Sequence, residues 1–246
     1  MKILITGACG NIGKYISIPL SKKHDITAVD ISDEGFEYFK EENIDFQILD
    51  IRNPAHCNKI IKDFDMVIHF AGEAMPDADF QSLEELNIEG TKNVISSCSK
   101  SGVKRFIYAS SIHAVSGYPS DKQIEIDDPV RPGDLYGVSK CFNEALCSYF
   151  AYHKGMECMA IRIGSYNAFT DEKENLNLET LSIFISPEDM LRLIEACIAA
   201  EMKEPFYILH GVSDNTYKHL SLYRTKELVD YHPQDNSFII ARVSEI

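Results

Sequence analysis

The stretch KILITGACGNIG, residues 2–13, leads from a short apolar run directly into three glycines. The glycines stand at G-x-x-G-x-x-G spacing, and a helical pattern follows them. Glycine permits a tight turn and a close approach of the backbone to a pyrophosphate, while the N–H groups at a helix start favour anions. A strand, a glycine loop and a helix in that order form the context of a dinucleotide-binding motif. The predicted contacts are Gly7, Gly10, Asn11, Ile12 and Gly13.

Apolar runs alternate with helical patterns over the first two thirds of the chain. Six runs are predicted as strands: 2–6, 26–31, 45–51, 66–72, 105–111 and 158–165. Their nearly continuous hydrophobicity is typical of parallel strands buried on both faces. The segments predicted as helices are 11–23, 54–63, 80–101 and 134–154. This alternation predicts an α/β fold, a Rossmann-type doubly wound parallel sheet.

The pattern loosens after residue 165. A polar stretch is followed by a predicted helix at 187–201, a strand at 206–211 and a short tail. We interpret residues 1–165 as the nucleotide-binding core and residues 166–246 as a small substrate-binding cap packed on it. The two parts together are predicted to form a single compact domain.

An acidic residue identifies the cofactor. Asp30 ends the second predicted strand, 17 residues after Gly13. A carboxylate there accepts hydrogen bonds from the adenosine ribose hydroxyls and repels a 2′-phosphate. The next residues, Ile31 to Asp33, offer no cation to hold such a phosphate. The predicted cofactor is therefore NAD rather than NADP.

Two further strand ends suit the same cofactor. Asp50 is placed to meet the adenine amino group, although an aspartate there can equally be a helix cap. The segment HFAG, residues 69–72, lets the backbone pass close to the cofactor. The additional predicted contacts are Asp50, Ile51, Phe70, Ala71, Gly72 and Ile163.

A tyrosine and a lysine stand four positions apart at the start of a predicted helix, in GDLYGVSKCFNEAL, residues 133–146. Four residues along a helix return to the same face, so Tyr136 and Lys140 can act together. A free tyrosine has a pKa of about 10, which is high for a base near neutrality. We expect the lysine to lower the pKa of the tyrosine. The hydroxyl of Ser111, at the end of the fifth strand, can hold the reacting oxygen.

Two polar residues near this constellation are ambiguous. Asn87 stands inside a helical pattern, where asparagine is unfavourable, which suggests a polar task such as holding water near the lysine. An exposed asparagine is the alternative. His113 follows the serines closely and lies either at the site or on the loop surface.

Residues 1–165 resemble the extended short-chain dehydrogenase/reductase superfamily, which includes the NAD-dependent epimerases and dehydratases. The resemblance is carried by TGACGNIG, Asp30, LDI, HFAG, Asn87, Ser111 and YGVSK, in the family's order. It implies that Ser111, Tyr136 and Lys140 form a catalytic triad with the tyrosine as acid/base. It further implies that Lys140 holds the nicotinamide ribose, with Asn87 supporting a proton relay. A homodimer or higher homo-oligomer through the helices at 80–101 and 134–154 is expected on the same ground.

A narrower resemblance is to the bacterial uronate dehydrogenases, which oxidise C1 of a hexuronic acid to a lactone. It is carried by ASSIHAVSGYP (109–119), RPGDLYGVSKCFNEAL (131–146) and IRIGS (161–165). The implied substrate contacts are Ser111, Ile112, His113, Tyr136 and Ser165. This chain departs from that family at Ile112, where the family has asparagine, and at the loop 73–77, where the family has serine. No arginine lies between Arg162 and Arg192, so the family's guanidinium grip on the carboxylate is missing from that segment.

The preferred hypothesis is NAD-dependent oxidation of a sugar or sugar acid, with a neutral aldose and a uronate both open. A redox-neutral sugar epimerase or dehydratase is the first alternative. The short remainder after Lys140 and its lack of an Arg/Lys cluster for a diphosphate count against it. A nucleotide-sensing protein without catalysis is the second alternative, and the complete Ser, Tyr and Lys set counts against that one.

Composition excludes several other classes. The formal net charge of −14 argues against a nucleic-acid partner, because phosphate backbones are bound by clustered Lys and Arg. The sequence contains no run of 18 or more apolar residues, so it predicts no membrane span. The seven cysteines contain no C-x-x-C pair, which argues against structural zinc and against a disulfide framework. With a strand-like run where a signal peptide would lie, these features predict a cytoplasmic protein with a small-molecule partner and no metal.

Overall fold

The computed structural model describes residues 1–167 and 177–241. The strands are β1 Lys2–Thr6, β2 Asp25–Asp30, β3 Asp45–Ile48, β4 Met66–His69, β5 Arg105–Ser111, β6 Glu157–Ile163, β7 Ser165–Tyr166, β8 Phe184–Ile185 and β9 Phe206–Gly211. The helices are α1 Asn11–Ser21, α2 Phe36–Glu41, α3 Pro54–Ile60, α4 Phe80–Ser82, α5 Thr91–Ser101, α6 Leu135–Lys154, α7 Leu178–Ser182, α8 Pro187–Ala199, α9 Tyr223–Val229 and α10 Ser237–Ile240. None of these described helices is long and apolar enough to cross a membrane.

Seven strands form one sheet in the order β3-β2-β1-β4-β5-β6-β9. All neighbouring strands in it run parallel. Their carboxyl ends therefore meet at one edge of the sheet. The chain moves outward from β1 to β3 and then returns to β4, and a crevice opens at such a reversal. This arrangement confirms the predicted doubly wound α/β fold.

Side chains of β1 show how the sheet is covered on both faces. Ile3 and Ile5 point to one face and pack in the apolar cluster that contains residues of α1 and α8. Leu4 points to the opposite face, in a second cluster with residues of α3, α5 and α6. Because successive side chains of a strand alternate between faces, an unbroken apolar run fills both layers.

The late helix and strand belong to the main sheet and its helical layer. β9 pairs with β6, with Ile161 opposite Leu209 and Ile163 opposite Gly211. α8 packs beside α1, where Leu193 joins the cluster that contains Ile16. The predicted division at residue 165 assigns these elements to the cap, whereas in the structure the sheet continues to residue 211. β6 would otherwise expose an unpaired edge, and β9 covers it.

Other differences from the prediction are local. α2 was not predicted, because a six-residue helix shows little periodicity. The third strand stops at Ile48, and the fourth stops at His69. The predicted helix 80–101 contains a π-helix at Leu83–Gly90 between α4 and α5. Apolar spacing did not show this insertion, although π segments are frequent at functional sites.

Candidate active site

A cleft of about 680 Å³ lies at the carboxyl edge of the sheet, beside β1, β2, β4, β5 and β6. Every residue predicted to bind cofactor or substrate lines this cleft. Asn87, predicted to support a proton relay, is the one predicted site residue that does not line it. These lining residues are Gly7, Gly10, Asn11, Ile12, Gly13, Asp30, Asp50, Ile51, Phe70, Ala71, Gly72, Ser111, Ile112, His113, Tyr136, Lys140, Ile163 and Ser165.

The glycine loop adopts a conformation that only glycine accommodates. Gly7 has a φ of +69°, and a Cβ there would lie 2.6 Å from the backbone nitrogen of Ala71. A Cβ on Gly13 would lie 2.4 Å from the carbonyl oxygen of Gly7. α1 then begins at Asn11, and no described side chain caps its N-terminus. The N–H groups of its first turn remain available for an anion at the floor of the cleft, as a pyrophosphate requires.

Asp30 is held rigidly at the end of β2. Its Oδ2 accepts a hydrogen bond from the Cys9 N–H at 2.9 Å, and its Oδ1 accepts one from the Ile31 N–H at 2.8 Å. A carboxylate has about four lone-pair sites, so Asp30 can still accept a hydrogen bond from a ribose hydroxyl. Lys140 is the only lysine or arginine among the described residues that line the cleft. This end of the cleft therefore fits NAD and offers nothing for a 2′-phosphate.

Asp50 lines the same end of the cleft but already has a partner. Its two oxygens accept hydrogen bonds from Nε and Nη2 of Arg52, both at 2.9 Å. These hydrogen bonds lower the pKa of the Asp50 carboxyl. The carboxylate predicted to meet the adenine amino group is thus shared with an arginine that the sequence reasoning did not consider.

Tyr136 and Lys140 lie in the first two turns of α6, opposite the glycine loop. Asp134 caps the helix by accepting a hydrogen bond from the Gly137 N–H at 2.7 Å. Ser111 lines the cleft beside the Tyr136 phenol. Lys140 Nζ donates to the carbonyl of Ala109 at 2.8 Å and lies 5.2 Å from the centre of the Tyr136 ring. The structure therefore brings the predicted triad together.

The acidity of the triad differs from the prediction. Burial raises the pKa of Tyr136, and the Ser111 side chain offsets only part of this effect. The phenol is 8% exposed, so a phenolate would be poorly hydrated there. Burial also lowers the pKa of Lys140 to about 8. In the protein by itself the pKa of Tyr136 is therefore raised overall, and the lowering expected from Lys140 stays a prediction.

Asn87 lies behind the wall of the cleft, 1% exposed. Its Oδ1 accepts a hydrogen bond from the Glu73 N–H at 2.8 Å, and its Nδ2 donates to the Glu73 carbonyl at 3.1 Å. Nδ2 also donates to Ser139 Oγ at 3.0 Å. By these contacts Asn87 fixes the loop after β4 against α6. It contacts neither Lys140 nor the open cleft, so its predicted part in a proton relay stays a prediction.

The predicted substrate residues lie around the triad. Ile112 is buried in the 3₁₀ turn Ile112–Ala114, and His113 Nδ1 lies 2.6 Å from Asp134 Oδ2. The ring of His113 makes an edge contact with Tyr136, with centroids 5.3 Å apart. Ser165 is half-buried in β7. The segment 168–176 belongs to the stretch that lacks the arginine with which the uronate dehydrogenases bind the substrate carboxylate. This segment lies outside the described residues.

Sequence reasoning missed a buried ion pair beneath the triad. Glu144 accepts hydrogen bonds from Nε and Nη2 of Arg162, both at 2.9 Å. Ser110 Oγ donates to the same carboxylate at 2.7 Å. Glu144 stands four residues after Lys140, and its charge raises the pKa of that lysine against the larger effect of burial. The spacing Y-x-x-x-K-x-x-x-E was a signal on one helix face that could have identified Glu144.

Known proteins share both the motif and the fold. Residues 3–177 match the NAD dependent epimerase/dehydratase family. The chain belongs to this family. The predicted family resemblance and the NAD cofactor are thereby confirmed.

The similar proteins include sugar dehydrogenases. An L-arabinose 1-dehydrogenase (NAD(P)(+)) of Haloferax volcanii is 30% identical over 254 residues, which cover 96% of this chain and 97% of that one. A uronate dehydrogenase of Pseudomonas syringae pv. tomato is 29% identical over 238 residues, covering 96% of this chain and 82% of that one. A tyrosine-to-alanine variant of uronate dehydrogenase from Agrobacterium tumefaciens, complexed with NAD, superposes with a TM-score of 0.85 at 28% identity, covering 98% and 87% of the two chains. These similarities confirm the prediction of an NAD-dependent dehydrogenase.

Proposed function

We propose that this protein oxidises the C1 hydroxyl of a sugar or sugar acid to a lactone, with NAD as the acceptor. The observation that carries this proposal is the placement of Ser111, Tyr136 and Lys140 together at the cleft that the glycine loop opens, with Lys140 Nζ 5.2 Å from the centre of the Tyr136 ring. The names of the relatives that match nearly the whole chain support the substrate class.

The side chains divide the work of alcohol oxidation. Ser111 holds the reacting hydroxyl, and Tyr136 takes its proton. The glycine loop and Asp30 would hold NAD, which would supply the acceptor for the hydride leaving the carbon that bears this hydroxyl. Lys140, fixed by the Ala109 carbonyl, contributes positive charge beside the phenol, which favours the phenolate as the proton is transferred. Asp134 orients His113 at the substrate side.

Absorbance of NADH tests the proposal directly. Purified protein is mixed with NAD and a panel of aldoses, uronates and polyols, and growth of the NADH band with lactone formation is expected for at least one sugar. A redox-neutral epimerase or dehydratase would instead release tightly bound NAD on denaturation and convert a sugar without net NADH. Binding of NAD without any conversion would favour the nucleotide-sensing alternative.

Cofactor preference should depend on Asp30. Replacing Asp30 with Ala and Ile31 with Arg removes the charge that repels a 2′-phosphate and supplies a cation to hold one. We expect the ratio of kcat/KM for NADP to kcat/KM for NAD to rise by about 100-fold, since placing like charges together costs several kcal/mol. Ile31→Arg alone, with Asp30 retained, is the control and should shift the ratio much less. An unchanged ratio in the double variant would refute the assigned role of Asp30.

We propose a homodimer through α6. This helix carries a stripe of large apolar side chains, each at least 44% exposed: Leu135, Val138, Phe142, Tyr149 and Tyr152. Exposed apolar stripes of this length mark interaction surfaces. We expect Phe142→Glu to convert a dimer to a monomer of 27.8 kDa in light scattering, while Glu37→Gln on α2, which lies outside both predicted interface helices, leaves the dimer intact. A wild-type protein that is already monomeric would exclude this interface.

We also propose that the protein works in the cytoplasm. All seven cysteines are free, and five of them are buried. Burial raises the pKa of the thiols, for example that of Cys57 to about 11, so they remain protonated. Free buried thiols suit a reducing compartment, and fractionation of the source cells would test this assignment.

A further inference from the structure

Glu73 places an acidic side chain on the wall of the cleft near the triad. It follows Gly72 at the point where the chain leaves β4, and it lines the same cleft as Ser111 and Tyr136. Sequence reasoning noted only that the loop 73–77 departs from the serine of the uronate dehydrogenases. The residue is half-buried and has no lysine or arginine partner among the described residues.

A chain of hydrogen bonds fixes Glu73 relative to Tyr136. Both backbone polar groups of Glu73 are bonded to the amide of Asn87. Asn87 in turn donates to Ser139 Oγ, which donates to the backbone carbonyl of Tyr136 at 2.7 Å. A Cβ on Gly72 would lie 2.7 Å from Asn87 Oδ1, so the turn is tightly packed as well. The loop therefore holds Glu73 in one place with respect to the catalytic phenol.

Two backbone N–H groups fix the orientation of the Glu73 carboxylate. Its Oε1 accepts hydrogen bonds from the N–H groups of Ala74 at 2.8 Å and Met75 at 2.9 Å. Its Oε2 has no hydrogen-bond partner among the described residues and can accept one from a ligand. Burial is the main reason that the pKa of Tyr136 is raised, and the charges of Asp134 and then Glu73 add smaller contributions.

Positive charge at this end of the described cleft is already engaged. Lys140 is buried, and its Nζ is bonded to the Ala109 carbonyl. His113 lies against the carboxylate of Asp134, so any proton that it carries is balanced by that acid. A carboxylate or phosphate group on the substrate would therefore face the carboxylate of Glu73. The described residues that line the cleft offer no free cation to balance that charge.

We propose that Glu73 selects uncharged sugars. Its Oε2 accepts a hydrogen bond from a sugar hydroxyl, and its charge disfavours uronates and sugar phosphates. This inference rests on the proposed function and names the substrate class within it. In this proposal Glu73 binds the sugar at a hydroxyl that does not react, away from C1. It therefore determines specificity and takes no part in the chemical step.

Paired sugars that differ only at C6 test this inference. We would measure kcat and KM for D-galactose against D-galacturonate, and for D-glucose against D-glucuronate, in the wild type and in Glu73→Gln. Glutamine keeps an acceptor for the Ala74 and Met75 N–H groups and removes the charge. The wild type should favour the neutral sugar, and the variant should raise kcat/KM for the uronate by about tenfold, mainly through KM. Added salt should raise the wild-type activity on the uronate and change the variant little.

Glu84→Gln is the matched control, since it removes the same charge from an exposed residue that does not line the cleft. Its ratio of neutral to uronate activity should equal that of the wild type. If sugars are oxidised but the wild type prefers the uronate, or Glu73→Gln leaves the ratio unchanged, the inference is overturned and the proposed function stands. If neither sugar of any pair reduces NAD in the wild type, the proposed function fails and the inference fails with it.

Discussion

Replacing Tyr136 with phenylalanine is expected to lower kcat by about 10²–10⁴-fold, the range that a single general acid/base supplies. The phenol is the group that the described cleft places beside Ser111 and Lys140. Phenylalanine retains the ring, which packs edge-on against His113. Only the proton acceptor is lost, so the affinity for NAD should remain within about twofold. Stopped-flow turnover and isothermal titration with NAD measure the two quantities.

Tyr152→Phe is the matched control for this variant. Tyr152 lies on the same helix but is 57% exposed and outside the cleft, so its hydroxyl should contribute nothing to turnover. Melting temperatures of both variants should match that of the wild type. Full activity of Tyr136→Phe would remove the tyrosine from the role of base. A parallel loss of NAD binding would instead indicate that the residue mainly shapes the cofactor site.

Replacing Glu144 with alanine is expected to lower the free energy of unfolding by about 3–5 kcal/mol, because it leaves a buried guanidinium without its counter-charge. Arg162 is 1% exposed, and two of its nitrogens donate to the Glu144 carboxylate. Its remaining guanidinium nitrogen, Nη1, has no hydrogen-bond partner among the described residues. Ser110 would lose its acceptor in the same variant. Urea denaturation measures the change.

Two comparison variants separate the ion pair from general damage. Glu89→Ala breaks the exposed pair with Lys92 and should change stability by less than about 1 kcal/mol. Glu144→Leu combined with Arg162→Met removes both buried charges and should recover most of the lost stability. A Glu144→Ala protein as stable as the wild type would show that water or a rearranged acceptor satisfies Arg162. Equal destabilisation of the single and double variants would attribute the loss to packing.

Local motifs were sufficient for the cofactor site and for most of the sheet. The glycine loop and the Tyr136/Lys140 pair each lie within a few residues of chain, so spacing alone brings their groups together. The parallel arrangement then follows from apolar runs that alternate with helices, because parallel strands need covered faces. By contrast, the predicted boundary at residue 165 separated β9 from its sheet, since no local pattern shows which edge a late strand joins.

The sequence by itself determined the nucleotide-binding half and NAD as its cofactor, and it supplied the acid/base residues as predictions. Tertiary structure decided what surrounds them, because those contacts join distant segments. Asn87 reaches Glu73 across 14 residues and Ser139 across 52, while Glu144 meets Arg162 across 18. The pKa of Tyr136 was decided in the same way. The spacing in the sequence led to the expectation that Lys140 lowers this pKa. Burial, which depends on the whole fold, raises the pKa of Tyr136 instead.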